Sequence, residues 1–212
     1  LAVVPYSHGL RRLPDHLQQL MMESLGKRVK ADGSQTSGPT GSVVWGASGT
    51  DGQHAFFQLL HQGSDVVPVD LIGVARPVVD PRGAHHDALM ANLLAQAEAL
   101  AFGRTDTETA ALGVTPNLVA HQAFPGDRPS TVILLPELSA STLGQLVALY
   151  EHRTVVQAAV GGINPFDQGG VELGKQLATR FGDLLAGAGA DVDRSEPSSE
   201  LVRRYRELRD RD

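Results

Sequence analysis

Four short runs rich in β-branched and aliphatic residues punctuate the sequence. They are residues 1–5 (LAVVP), 42–45 (SVVW), 65–74 and 131–135 (TVILL). Short apolar runs bounded by turn residues read as buried strands. Helical periodicity fills the intervals. Leu89, Leu93, Ala97 and Leu100 mark a helix over 85–101, and Leu143, Leu146, Val147 and Tyr150 mark one over 139–152. Leu173, Leu177, Phe181 and Leu184 mark another over 171–186, each at the 3.6-residue period. Residues 155–160 fit either a strand or continued helix. A short helix is expected within 105–113, loops over 115–128 and 161–170, and over the polar 27–41 either a hairpin about an Asp32-Gly33 turn or an excursion across the surface. A polar linker over 191–199 and a charged helix over 201–209 complete the chain. Strands alternating with helices require an α/β three-layer sandwich, a mostly parallel sheet covered on both faces.

The 212 residues suffice for one large domain or two small ones. A net charge of −6 gives no electrostatic reason to bind nucleic acid or an anionic membrane. The lack of cysteine excludes a disulfide framework, a cysteine-ligated zinc and a thiol nucleophile. No apolar run is long enough to span a membrane, and no signal peptide is visible. The chain opens on LAVVPYS, with no initiator methionine and a strand under way, so it is expected to be the later part of a longer polypeptide.

After the first strand a helix is expected to run to about Ser24, with Pro14 either in its first turn or kinking it. Leu10, Leu13, Leu17, Leu20 and Met21 form its core stripe. Gln19 and Glu23, four residues apart, stand one turn apart on another face. Gly26 is expected to end the helix in a left-handed cap. Taken alone, Glu23 reads as part of a solvated face, and only its surroundings decide whether it is a base.

Two further stretches carry candidate chemistry. Residues 46–52 (GASGTDG) link a strand to a helix, with glycines spaced G-x-x-G-x-x-G. That spacing is neither the dinucleotide fingerprint nor a P-loop, and a sharp turn alone would account for it. His54 follows and is expected in the first turn of the next helix, where the dipole favours a neutral imidazole. In NPFDQGGVELGK (164–175), Gln168 and Lys175 share a face if the helix reaches back to Gln168. Lys175 lies opposite the apolar stripe, as a solvated lysine also would. The histidines lack ligand spacing, the carboxylates lack an EF-hand pattern, and the serines lack a nucleophile elbow. No metal site is expected.

Together and in this order, MESLGK (22–27), GPTGSVVWGASGTDGQHAFFQLLHQG (38–63) and INPFDQGGVELGKQLA (163–178) resemble the signatures of the phosphoglucose isomerase family. LMANLLAQAEALAFG (89–103) and LGQLVALYEHRTVVQ (143–157) resemble it too, so the likeness covers about 1–185. It implies a sugar-isomerase domain of flavodoxin-like order over 1–190, followed by the linker and terminal helix over 191–212. It implies a cytoplasmic enzyme that interconverts glucose 6-phosphate and fructose 6-phosphate without metal or organic cofactor. In that family a carboxylate moves a proton between C1 and C2 through a cis-enediol. By motif position Glu23 is that base and Gln19 a substrate contact. His54 corresponds to the ring-opening histidine, Lys175 to the lysine at the sugar ring, and Gln168 to the glutamine of the preceding loop. Gly49, Thr50 and Gly52 would let the backbone approach the sugar. The family is homodimeric and supplies the histidine across the interface.

Two departures stand out. Leu25 replaces the usual Asn, and Gly170 stands where many members have Trp and others Pro; both are expected at the pocket wall. The loop that holds the sugar phosphate and the arginine that stabilises the enediolate are not recognisable here, and their place is expected in a preceding part of the enzyme. The isolated chain is therefore expected to be nearly inactive. A non-catalytic sugar-phosphate-binding or assembly module is the alternative. The joint presence of Glu23, His54 and Lys175 speaks against it, because binding needs no proton-transfer set. The glycine spacing disfavours an unrelated nucleotide-binding domain.

Overall fold

The computed structural model describes residues 1–77, 79, 83–186 and 197–209. The chain forms two compact units, Leu1–Pro165 and Phe166–Asp212.

In the first unit, β1 (Ala2–Pro5) leads through a 3-10 turn, His8–Leu10, into α1 (Leu13–Leu17). Pro14 sits in the first turn of α1, where its missing N–H costs nothing. The helix continues as a π-helical segment, Gln18–Glu23. β2 (Trp45–Gly46) precedes α2 (Gly49–Ala55) and α3 (Phe57–Gln62). β3 (Val69–Val74), α4 (Ala84–Phe102), α5 (Asp106–Ala111) and α6 (Val119–Gln122) follow. The unit closes with β4 (Ser130–Leu135) and α7 (Ala140–Gly161).

The four strands pair in parallel in the order β2-β1-β3-β4, the flavodoxin-like order. Alternation along the strands divides the core in two. Val3, Ile72 and Val74 face Leu13, Leu17, Met21 and Leu25, with Leu146, Tyr150 and Ala158 of α7 in the same layer. Ala2, Val4 and Leu71 face the opposite way, towards Phe57 and Leu60 of α3 and Leu93 and Leu100 of α4. The sandwich expected from the sequence is thus the one observed.

Several expectations are corrected, and two open ones are decided. The second strand is shorter than 42–45, because only Trp45 and Gly46 pair with β1 and Val43 is exposed. Residues 155–160 belong to α7, which starts at a Ser139 capping box and ends at Gly162 in the left-handed conformation (φ 66°). The expected loop 115–128 contains a 3-10 turn, Pro116–Leu118, and α6. The polar 27–41 segment makes a small antiparallel bridge, Val29 to Gln35, around Asp32 and Gly33; the Asp32 carboxylate accepts the Ser34 amide at 2.9 Å.

A buried ionic contact ties β3 to α7. Asp70 is 4% exposed, and its Oδ2 accepts from Tyr150 Oη at 3.0 Å and Arg153 Nη1 at 2.8 Å. Desolvation raises the Tyr150 phenol well above its ordinary range, and the Asp70 charge adds to this.

The second unit holds a 3-10 turn, Gly169–Val171, then α8 (Glu172–Leu185) and α9 (Pro197–Arg209). Arg206 donates to the carbonyl of Leu184, joining these two helices. Most of the expected linker over 191–199 lies outside the described residues. Among the described residues, no helix is long and apolar enough to cross a membrane.

Candidate active site

The helix that carries Glu23 has an unusual period. Besides Pro14 in its first turn, its buried residues are Leu13, Leu17, Met21 and Leu25, spaced strictly by four. On an ideal α-helix that row would drift about 40° with each step. A π-helical turn, bonded i to i+5, is wider and takes up the drift. Met21, in the middle of the π segment, therefore stays in the core at 3% exposure. Leu25 takes the place in the stripe expected for Leu20, which is only partly buried. The departure from the usual Asn at this position is thus a core residue.

Gln19 is exposed and Glu23 half-buried on the π segment. Among the described residues neither side chain has a hydrogen-bond partner, so the carboxylate is open to a ligand. The backbone beneath it is held tightly. Lys27 Nζ donates to the carbonyls of Glu23 (2.6 Å) and Ser24 (3.1 Å). Gly26 N donates to Met22 O at 3.0 Å. Gly26 is not in the left-handed conformation expected for it. A Cβ there would come within 2.5 Å of Met22 O, so close approach, not a positive φ, demands glycine. Thr40 Oγ1 accepts from the Lys27 amide at 3.3 Å and donates to the Lys27 carbonyl.

The glycine loop is also explained by contacts within the protein. A Cβ on Gly49 would lie 2.5 Å from the Tyr6 ring, and one on Gly52 would lie 2.8 Å from the Phe56 ring. Thr50 is exposed. Because α2 begins at Gly49, His54 lies in its last turn, not in a first turn. The helix-N-terminus argument does not apply to it. His54 is exposed, with no hydrogen-bond partner among the described residues. At Phe56 the backbone leaves the helix (φ −141°, ψ 0°), and α3 starts anew.

Among the described residues no hydrogen bond or ion pair joins Glu23 and His54. The helix bearing Glu23 packs on the sheet face formed by Val3, Ile72 and Val74. The α2–α3 pair packs through Phe57 and Leu60 on the opposite face, with Ala2, Val4 and Leu71. The two helical elements thus cover opposite faces of the sheet.

In the second unit, Lys175 lies on the exposed side of α8 and pairs with Glu172 Oε1 at 2.8 Å. Both side chains are well exposed, so this i,i+3 pair holds the ammonium only weakly. Gln168 precedes the 3-10 turn, outside α8. The shared α-helical face expected for Gln168 and Lys175 is therefore not formed. A Cβ on Gly170 would meet nothing within 4 Å, so no close contact within the described residues demands glycine at this position.

Sequence reasoning missed two features. One is the Lys27 cap, although a basic residue just past a helix end was the available signal. The other is a cavity of about 580 Å³ at the carboxyl ends of β1 and β3, lined by Tyr6, Ser7, Arg76, His85 and His86 among others. It contains none of the predicted site residues, and Arg76 there is paired with Glu137 at 2.9 Å.

The chain is similar to known proteins over nearly its whole length. The family model described as phosphoglucose isomerase matches residues 1–200. The chain is 52% identical over 213 residues to glucose-6-phosphate isomerase 3 of Rhodococcus jostii, covering 98% of this chain and 39% of that protein. It is 52% identical over 215 residues to glucose-6-phosphate isomerase of Mycobacterium tuberculosis, covering 99% of this chain and 39% of that one. The crystal structure of a glucose-6-phosphate isomerase from Chlamydia trachomatis superposes with a TM-score of 0.78 at 39% identity, over 98% of this chain and 37% of that one. The chain thus spans about two-fifths of the length of the curated relatives it matches.

Proposed function

The chain belongs to the phosphoglucose isomerase family, and from that premise we propose that it is the C-terminal part of an aldose–ketose isomerase. The enzyme interconverts glucose 6-phosphate and fructose 6-phosphate in the cytoplasm. The observation that carries this reading is Glu23, a half-buried carboxylate with no hydrogen-bond partner among the described residues, on a π-helical turn whose end is held by Lys27. π-Helical turns recur at functional sites, and a general base needs an open carboxylate on a rigid support.

Glu23 removes the proton from C2 of the open-chain aldose. The C2–H electron pair becomes the C1–C2 double bond, and the C1 oxygen takes a proton, giving the cis-enediol. Glu23 then returns its proton to C1, while the C2 hydroxyl loses its own and becomes the ketose carbonyl. His54 and Lys175 act at the sugar ring: the imidazole moves the ring-opening proton and the ammonium offsets developing charge. Gln19, Gln168, Gly49 and Thr50 line the substrate.

The elements that carry Glu23 and His54 pack on opposite faces of one sheet, which is in keeping with the family's pattern, in which a second copy brings its own His54 to the substrate. The working enzyme is accordingly a homodimer. The remainder of each polypeptide supplies the phosphate-binding loop and the cation facing the enediolate.

A coupled isomerase assay on the complete enzyme tests the reading. Glu23→Gln is expected to lower kcat by roughly 10²–10⁴-fold, the usual worth of a general base. The 212-residue chain alone is expected to fall further, by several orders of magnitude. A Glu23→Gln enzyme close to full activity would remove Glu23 as the base and return the chain to a binding role.

A further inference from the structure

We propose that Lys27 is a positioning residue for the Glu23 base. Its ammonium holds the carbonyls that end the π-helical turn and so sets the direction in which the carboxylate points. The inference rests on the reading of Glu23 as the proton shuttle.

The last carbonyls of a helix have no partner within it. At this end two of them, from Glu23 and Ser24, accept from Lys27 Nζ at 2.6 and 3.1 Å. One of the two belongs to the residue that carries the base. The lysine is itself anchored. Its amide donates to Leu25 O at 2.7 Å, and Thr40 Oγ1 bonds to both its amide and its carbonyl. Thr40 stands in the segment that enters β2, so the cap ties the Glu23 peptide to the sheet. The backbone around it leaves no slack, since a Cβ on Gly41 would lie 3.0 Å from the Leu25 carbonyl carbon.

Such a tether matters because proton transfer at carbon depends steeply on geometry. A displacement of about 1 Å can cost on the order of 10²-fold in rate. A π turn closes a wider ring than an α turn, i to i+5, and here the contact at its end is the Lys27 ammonium. A lysine that only capped the helix would affect stability. One that aims the base also affects where the proton goes, because a loosened carboxylic acid exchanges its proton with water before returning it to C1.

The test uses the complete isomerase with glucose 6-phosphate deuterated at C2, and reads kcat, KM, thermal midpoint and the share of deuterium carried to C1. In Lys27→Met, kcat is expected to fall about 10- to 100-fold with KM within about twofold, and the transferred share at least about twofold. Lys27→Arg, which keeps the charged donor, is expected to recover most of both. Unchanged kcat and transfer in Lys27→Met would overturn the proposal. So would a loss that Lys27→Arg does not relieve and that leaves the transferred share untouched. Should Lys27→Met fail to fold, Lys27→Gln, with a neutral donor, takes the same measurements. A Glu23→Gln control run beside them separates the two readings: if it keeps full activity, the base assignment itself fails.

Discussion

Tyr6 shows how one side chain can fix a loop that looks like a ligand site. It is 1% exposed, and its ring fills the space a side chain at position 49 would need. Its hydroxyl is buried and, among the described residues, has no hydrogen-bond partner. Burial pushes its phenol up to about 12. The folded state thus holds Tyr6 neutral at a pH where the unfolded chain ionises it. This contribution is fully present below the unfolded value, near 10, and is lost as pH rises through the folded value. Tyr6→Phe should therefore flatten the fall in stability between about pH 10 and 12. At neutral pH it should cost less than about 1 kcal/mol, since no hydrogen bond is lost. Urea titrations of both proteins across that range check it; an unaltered alkaline limb would contradict it. At this scale the sequence was informative through motif, not through physics. Glu23, His54 and Lys175 each read as solvated residues when taken singly. Lys27 went unassigned because its contacts are with backbone carbonyls, which carry no residue-type signature.

The helix from Leu13 to Leu25 was legible as a helix but not as this one. Its 100°-per-residue reading placed Leu20 in the core stripe and gave Gly26 a left-handed cap. The four-residue spacing of Leu13, Leu17, Met21 and Leu25 was present throughout, and it is that spacing which accounts for the wider turn. Met21 holds this arrangement from the centre. Met21→Ala should cost about 2–5 kcal/mol, as for other buried truncations, and chemical denaturation would measure it. A cost under about 1 kcal/mol would mean that burial of Met21 does not maintain the π segment. Other elements were more transparent. The stripe of Leu89, Leu93, Ala97 and Leu100 holds in α4, because its apolar spacing averages the α-helical period. The ambiguity over 155–160 arose because β-branched valines fit a strand locally. Tertiary burial of Thr154 and Ala158 settles them as helix.

At the scale of the whole molecule, the alternation of strands and helices was enough to give the parallel sheet and its two covered faces. It could not show which helix covers which face, and that is the fact with the most functional weight. Glu23 and His54 are only 31 positions apart in sequence (54 minus 23), yet the helices that carry them pack on opposite faces of the sheet. In the proposed homodimer, a proton-transfer site that uses both is assembled from two chains. The direct measurement is complementation in the complete isomerase. Glu23→Gln and His54→Ala dimers, each nearly inactive, are dissociated, mixed in equal amounts and reassociated. Random pairing makes half the dimers mixed, and each mixed dimer then holds one site with both groups intact, so about a quarter of the unsubstituted activity should return. Mixed dimers that form but show no activity beyond that of the two variants alone would place Glu23 and His54 in the same chain's site and contradict the account.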